Sequence, residues 1–214
     1  MKSAIPDPIV TNFLSGKQKR IVSVAANTAV GNVEPLASEL EAGLDNELNE
    51  AEIKDIIMQS YSHCGFALTL QSIVVFESVL EKRIADGNAS KSKLSVIRDM
   101  DKFIRSQCSE DEQCGYVDSS SGICGSDYLR HHGYACGEGE NSLSQQERVL
   151  VSIAVLTAMA VNENLLLSQI NIGLNIGLDI GVLSDVMFII HGMCPDRGRI
   201  ASNLLFQVIN GKTT

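Results

Sequence analysis

Apolar residues along this chain recur at helical spacing and hardly ever alternate with polar ones. The longest apolar runs lie at 149–161 and 183–190, inside the stretch 148–209, which is the most hydrophobic part of the chain. Residues 1–17, with Pro6, Pro8, Phe13 and Leu14, predict an irregular arm whose apolar side chains pack on a neighbour. A helix of small and β-branched residues is expected over 19–30, stopped at Gly31-Asn32. A second follows over 33–45, with Pro35 in its first turn, where a missing N–H costs nothing. Asn49-Glu-Ala-Glu52 is a capping-box pattern, a side-chain oxygen followed three residues on by a carboxylate. It opens a helix whose Ile53, Ile56, Ile57 and Tyr61 share one face. Gly65 should break that helix, and another runs over 67–84 to the stop at Asp86-Gly87-Asn88. Leu94, Val96, Ile97, Met100, Phe103 and Ile104 predict an amphipathic helix over 94–107. The polar, glycine-rich stretch 108–141 carries Cys108, Cys114, Cys124, Cys136 and the His131-His132 pair. A second capping box, Ser144-Gln-Gln-Glu147, restarts the helical pattern. Strand signals are scarce, so the fold class expected is all-α.

The two ends of the chain echo one another. Setting Arg20 against Arg148 aligns the first helices, and a two-residue gap brings Gly43-Leu-Asp onto Gly173-Leu-Asn. Leu48 then meets Leu178, Asn49 meets Asp179, Ile53 meets Leu183, Cys64 meets Cys194, Ser72 meets Ser202 and Phe76 meets Phe206. Caps, glycines and cysteines kept in order across this length are harder to obtain by chance than apolar matches. The expectation is one two-repeat domain over 1–214: repeat one at 19–84, a linker helix and cysteine-rich insert at 85–142, and repeat two at 143–210.

Composition narrows the function classes. Hydrophobic residues at 44% and charged ones at 20% exclude a fully disordered chain. A net charge of −9 argues against a nucleic-acid partner, which needs a basic stripe. The run 149–161 is shorter than the roughly 20 apolar residues of a membrane helix, so it reads as a buried core helix and no membrane partner is expected. No basic-then-apolar leader opens the sequence, and Cys64 and Cys194 sit in helical stretches, so a reduced, cytoplasmic setting is expected. The insert cysteines lack any Cys-x-x-Cys pair, the usual nucleus of a zinc site. No metal and no cofactor are therefore expected.

The order of elements resembles the carboxymuconolactone decarboxylase superfamily, which includes the alkylhydroperoxidase D-like thiol proteins. The resemblance rests on Gly43-Leu-Asp-Asn-Glu-Leu-Asn-Glu-Ala-Glu-Ile53 with His63-Cys-Gly-Phe-Ala67. Its second copy is Gly173-Leu-Asn-Ile-Gly-Leu-Asp-Ile-Gly-Val-Leu183 with Met193-Cys-Pro-Asp-Arg197, preceded by the Arg148-Val-Leu150 entry. It implies two tandem repeats of that helical type, assembled as a trimer or hexamer of identical chains. The family's functional histidine falls on Glu39 and on Gln169, and its closing tyrosine falls on His63. The positions of the thiol branch's cysteine pair hold Asn32 and Pro35, or Asn162 and Leu165. A thiol peroxidase or reductase is disfavoured on that ground, since a disulfide relay needs a thiolate and a resolving thiol.

Three readings follow. In the first, the chain is a cofactor-free decarboxylase or lyase acting on a small carboxylated or lactone substrate. Glu39 and His63 are then the acid/base candidates, because burial can bring a carboxyl's pKa toward neutrality. Arg197, His131 and Tyr61 are the substrate-binding candidates, the first because a basic pair at a helix start calls for a carboxylate partner or an anionic ligand. In the second, the chain is a non-catalytic oligomeric binding or scaffold protein. In the third, Cys64 is a reactive thiol. The bland counterparts are a solvated Glu39, a hydrogen-bonded His63 beside an inert Cys64, and a satisfied core His191.

Overall fold

The computed structural model describes residues 12–87, 142–160 and 162–211. The helix expected over 94–107, the four insert cysteines and His131 lie outside the described residues. Within them every regular element is helical, as expected: α1 (Gly16–Val30), α2 (Val33–Asn46), α3 (Glu50–Ala85), α4 (Gln145–Met159), α5 (Glu163–Asn175), α6 (Ile180–Met193) and α7 (Pro195–Ile209).

Local chemistry explains most boundaries. Asn49 and Glu52 form the expected reciprocal cap on α3, as Ser144 and Glu147 do on α4. A third box escaped the sequence reading: Ser15 and Gln18 start α1 inside the stretch expected to be irregular. Both α1 and α4 end on a left-handed residue, Gly31 and Ala160. The backbone turns inside α3 at Gly65 (φ 77°, ψ −179°), where the sequence placed a break, so α3 is two segments meeting at an angle. By length and composition α3 alone among the described helices could cross a membrane.

The two ends share further detail. Leu48 N–H donates to Gly43 O and Leu178 N–H to Gly173 O, each at 2.9 Å. Ser72 Oγ–H donates to Leu68 O and Ser202 Oγ–H to Gly198 O. The caps also correct one alignment. Counting from Ser15 and Ser144 sets Lys19, not Arg20, opposite Arg148, and pairs Ser23 with Ser152 and Thr28 with Thr157.

The core is built on α1 against α4, the most extensive contact among the described helices. All ten side chains from Val149 to Ala158 are buried, so α4 is surrounded on every side, as its unbroken apolar run requires. On α1 the buried set includes Ile21, Val22, Val24, Ala25, Ala26 and Ala29. α2 and α3 flank α1, while α5, α6 and α7 flank α4; α3 also reaches α4, and α6 reaches α1.

Two carboxylates fasten these crossings. Asp185 on α6, buried, accepts the backbone N–H groups of Phe13 and Leu14 just ahead of α1, the second at 3.0 Å. Asp55 on α3 accepts the N–H (3.2 Å) and Oγ–H (2.6 Å) of Ser142 just ahead of α4. Each half therefore grips the chain entering the other half's central helix. Leu14, itself gripped, and Leu143, next to the gripped Ser142, are both buried. Lys17 adds a tie, with Nζ 2.7 Å from Glu52 and 2.7 Å from Glu147, the cap carboxylates of α3 and α4.

Candidate functional site

Among the described residues, no hydrogen bond or ion pair joins Glu39, His63 and Arg197 to one another. Glu39, on α2, pairs with Arg20 Nη1 of α1, while Arg20 Nε donates to Glu47 at 3.1 Å. Gly43 lets the arginine stem lie close: a Cβ there would stand 3.1 Å from Arg20 Cγ. Burial pulls the Arg20 pKa down, but its bonds to Glu47 and Glu39 outweigh that and the net shift is upward. Glu39 is thus a member of an ion-paired trio tying α2 to α1.

His63 lies elsewhere, on the last turn of α3 before Gly65. Its Nε2 is 3.1 Å from Ser152 Oγ of α4, and no hydrogen bond among the described residues joins it to Glu39. Burial pushes its pKa down to about 4, so the ring is neutral at pH 7. Tyr61 is half-buried against the core.

Arg197, expected to seek a carboxylate or an anionic ligand, instead donates from Nη1 to Ala158 O in the last turn of α4. A cation there complements the negative end of a helix whose final carbonyls have no partner within it. Its neighbour Arg199 pairs with Asp196 at 2.5 Å. His191, expected in the core, is partly exposed and its Nδ1 lies 2.9 Å from Pro195 O, so Nδ1 carries the proton. Cys64 is half-buried; its Sγ is 3.6 Å from Thr69 Oγ1, and burial pushes the thiol's pKa up, away from the thiolate a redox role needs. Among the described residues no three His, Cys, Asp or Glu side chains gather as a metal ion would need.

What the structure does assemble is a polar cluster at the α3–α4 crossing, from residues the sequence reading passed over. Gln59, one helical turn before His63, points Nε2 at Arg148 O (2.6 Å) and at Ser152 Oγ (3.1 Å). The donor inventory fixes the orientation. A backbone carbonyl only accepts, so the amide nitrogen of Gln59 faces it, and Ser152 Oγ accepts from that same nitrogen. The Ser152 hydroxyl keeps one proton and one lone pair, so it can serve an Nε2 that accepts as well as one that donates, according to the imidazole tautomer.

The equivalent crossing of α6 with α1 has no such cluster. By cap position Ile189, Met193 and Ser23 stand where Gln59, His63 and Ser152 stand here, and both Ile189 and Met193 pack as partly buried apolar groups. The fold therefore does not need polar side chains at this crossing. A signal existed in the sequence: Ser152 interrupts the apolar run at 149–161, and Gln59 lies beside the isoleucines of α3. No family model matches the chain, and no curated protein matches it either.

Proposed function

We propose that the chain is a diverged protein of carboxymuconolactone decarboxylase-like architecture. On this reading it is two tandem helical repeats acting as an oligomeric binding or scaffold protein, without the acid/base lyase chemistry of that resemblance. The observation that carries this is the engagement of Glu39. Glu39 is held in an ion pair with Arg20, and no hydrogen bond among the described residues brings it to His63. The paired caps, the matched Gly43–Leu48 and Gly173–Leu178 bonds and the reciprocal Asp55 and Asp185 clamps support the two-repeat reading. Exposed apolar side chains support assembly: Phe66 and Val74 on α3, and Phe206 and Ile209 on α7.

Light scattering at micromolar protein tests the assembly, with a trimer or hexamer expected; a monomer would overturn it. A decarboxylase or lyase using His63 is the second reading, favoured by the neutral imidazole at the α3–α4 crossing. Its assay is turnover of a panel of small lactones and carboxylates by the wild type, Glu39→Gln and His63→Gln. Turnover lost in both variants would replace the scaffold reading with the enzyme.

A further inference from the structure

Ser152 stands out within α4. From Val149 to Ala158 the side chains are exposed by 2% or less, except Ser152 at 7%. The hydroxyl next to His63 therefore belongs to the least buried position of this run. His63, Tyr61 and Cys64, at the end of α3's first segment just before the Gly65 turn, are all half-buried.

We propose that Ser152 is a nucleophile that accepts an acyl group from a small, uncharged ester, with His63 Nε2 as the base that takes its proton. Three observations carry it: Ser152 Oγ lies 3.1 Å from His63 Nε2 while Gln59 Nε2 donates to the same oxygen, the cluster is absent at the equivalent α1–α6 crossing, and Ser152, though buried, is the one position from Val149 to Ala158 exposed by more than 2%. Burial keeps the imidazole neutral at pH 7, and in the tautomer with its proton on Nδ1 the Nε2 lone pair accepts from Ser152. An uncharged substrate fits because the side chains that meet at Ser152 are an amide and an imidazole that burial keeps neutral.

In the step, Ser152 Oγ bonds to the ester carbonyl carbon while its proton passes to His63 Nε2. The carbon–oxygen bond to the alcohol then breaks, and the proton leaves with that alcohol. Water hydrolyses the acyl-serine by the reverse route. Gln59 Nε2, the N–H donor beside Ser152, is already committed to Arg148 O, so an oxyanion gains little stabilisation and acylation should be slow. This inference is independent of the scaffold reading, which concerns Glu39 and assembly.

The test uses the intact protein and an alkyl fluorophosphonate, whose phosphorus is attacked by Oγ as fluoride leaves. Intact mass should show one adduct, and peptide mapping should place it on Ser152 of the wild type. Ser152→Ala should abolish it, His63→Gln should slow it at least tenfold, and Ser23→Ala, the equivalent serine, should leave it unchanged. Absence of an adduct on wild-type Ser152 would overturn the proposal without recourse to any variant. So would labelling that persists in Ser152→Ala or proceeds at the same rate in His63→Gln.

Discussion

Acidification should weaken this fold through His63, and the size of the effect follows from its setting. The imidazole has a pKa of about 4 in the folded protein against 6.5 for the free group, because burial at the α3–α4 crossing penalises the cation. Between those two values the unfolded chain binds the proton and the folded chain does not. The stability is therefore fully present above pH 6.5, falls as the pH drops through 4, and loses nothing further from this residue well below that. The full gap is equivalent to about 3.5 kcal/mol, at roughly 1.4 kcal/mol per pKa unit, of which about 3 kcal/mol is lost by pH 4. That is a large share of the roughly 5–15 kcal/mol by which a domain of this kind is stable. Urea unfolding followed by circular dichroism at pH 7 and at pH 4, in the wild type and in His63→Gln, isolates the effect. Glutamine can still accept from Ser152 but cannot take up the proton, so the wild type should lose about 3 kcal/mol more than the variant on acidification. Parallel losses in the two proteins would refute the reasoning, because other carboxylates contribute equally to both.

Two further perturbations probe the frame around the cluster. Replacing Asp185 by Ala leaves the Phe13 and Leu14 amides without their acceptor; thermal unfolding should register about 2–3 kcal/mol, and a change under 0.5 kcal/mol would dismiss the clamp. Gly198→Ala would put a Cβ 2.5 Å from the backbone of His191 and should destabilise by about 1–3 kcal/mol in the same assay. Gly192→Ala, where a Cβ meets nothing within 4 Å, should be neutral or stabilising, and equal losses at both glycines would sink the close-approach argument.

The candidate site was far less legible than the fold. Glu39 and His63 were matched to positions by resemblance, which carries no information about which element faces which side chain. Glu39 faces Arg20 because α2 packs on α1 with Gly43 at the contact, and His63 faces Ser152 because α3 crosses α4. Arg197 was recognised as an uncomfortable charge at a helix start. Its solution, a carbonyl at the end of a different helix, depended on α7 lying beside α4.

The sequence by itself determined the all-α class, the reciprocal caps at Asn49 and Ser144, the turn at Gly65 and the burial of α4. These depend on residues within one or two turns of each other, where a side chain reaches its own backbone and an unbroken apolar run can only be satisfied by neighbours on all sides. Tertiary structure alone decided which helices those neighbours are. It paired α1 with α4, set Asp55 and Asp185 on the chain entering the opposite half, and brought Gln59, His63 and Ser152 together. Helical periodicity says which face of a helix is buried but not against which partner, and the hydrogen bonds of a buried polar group are fixed only when that partner is in place.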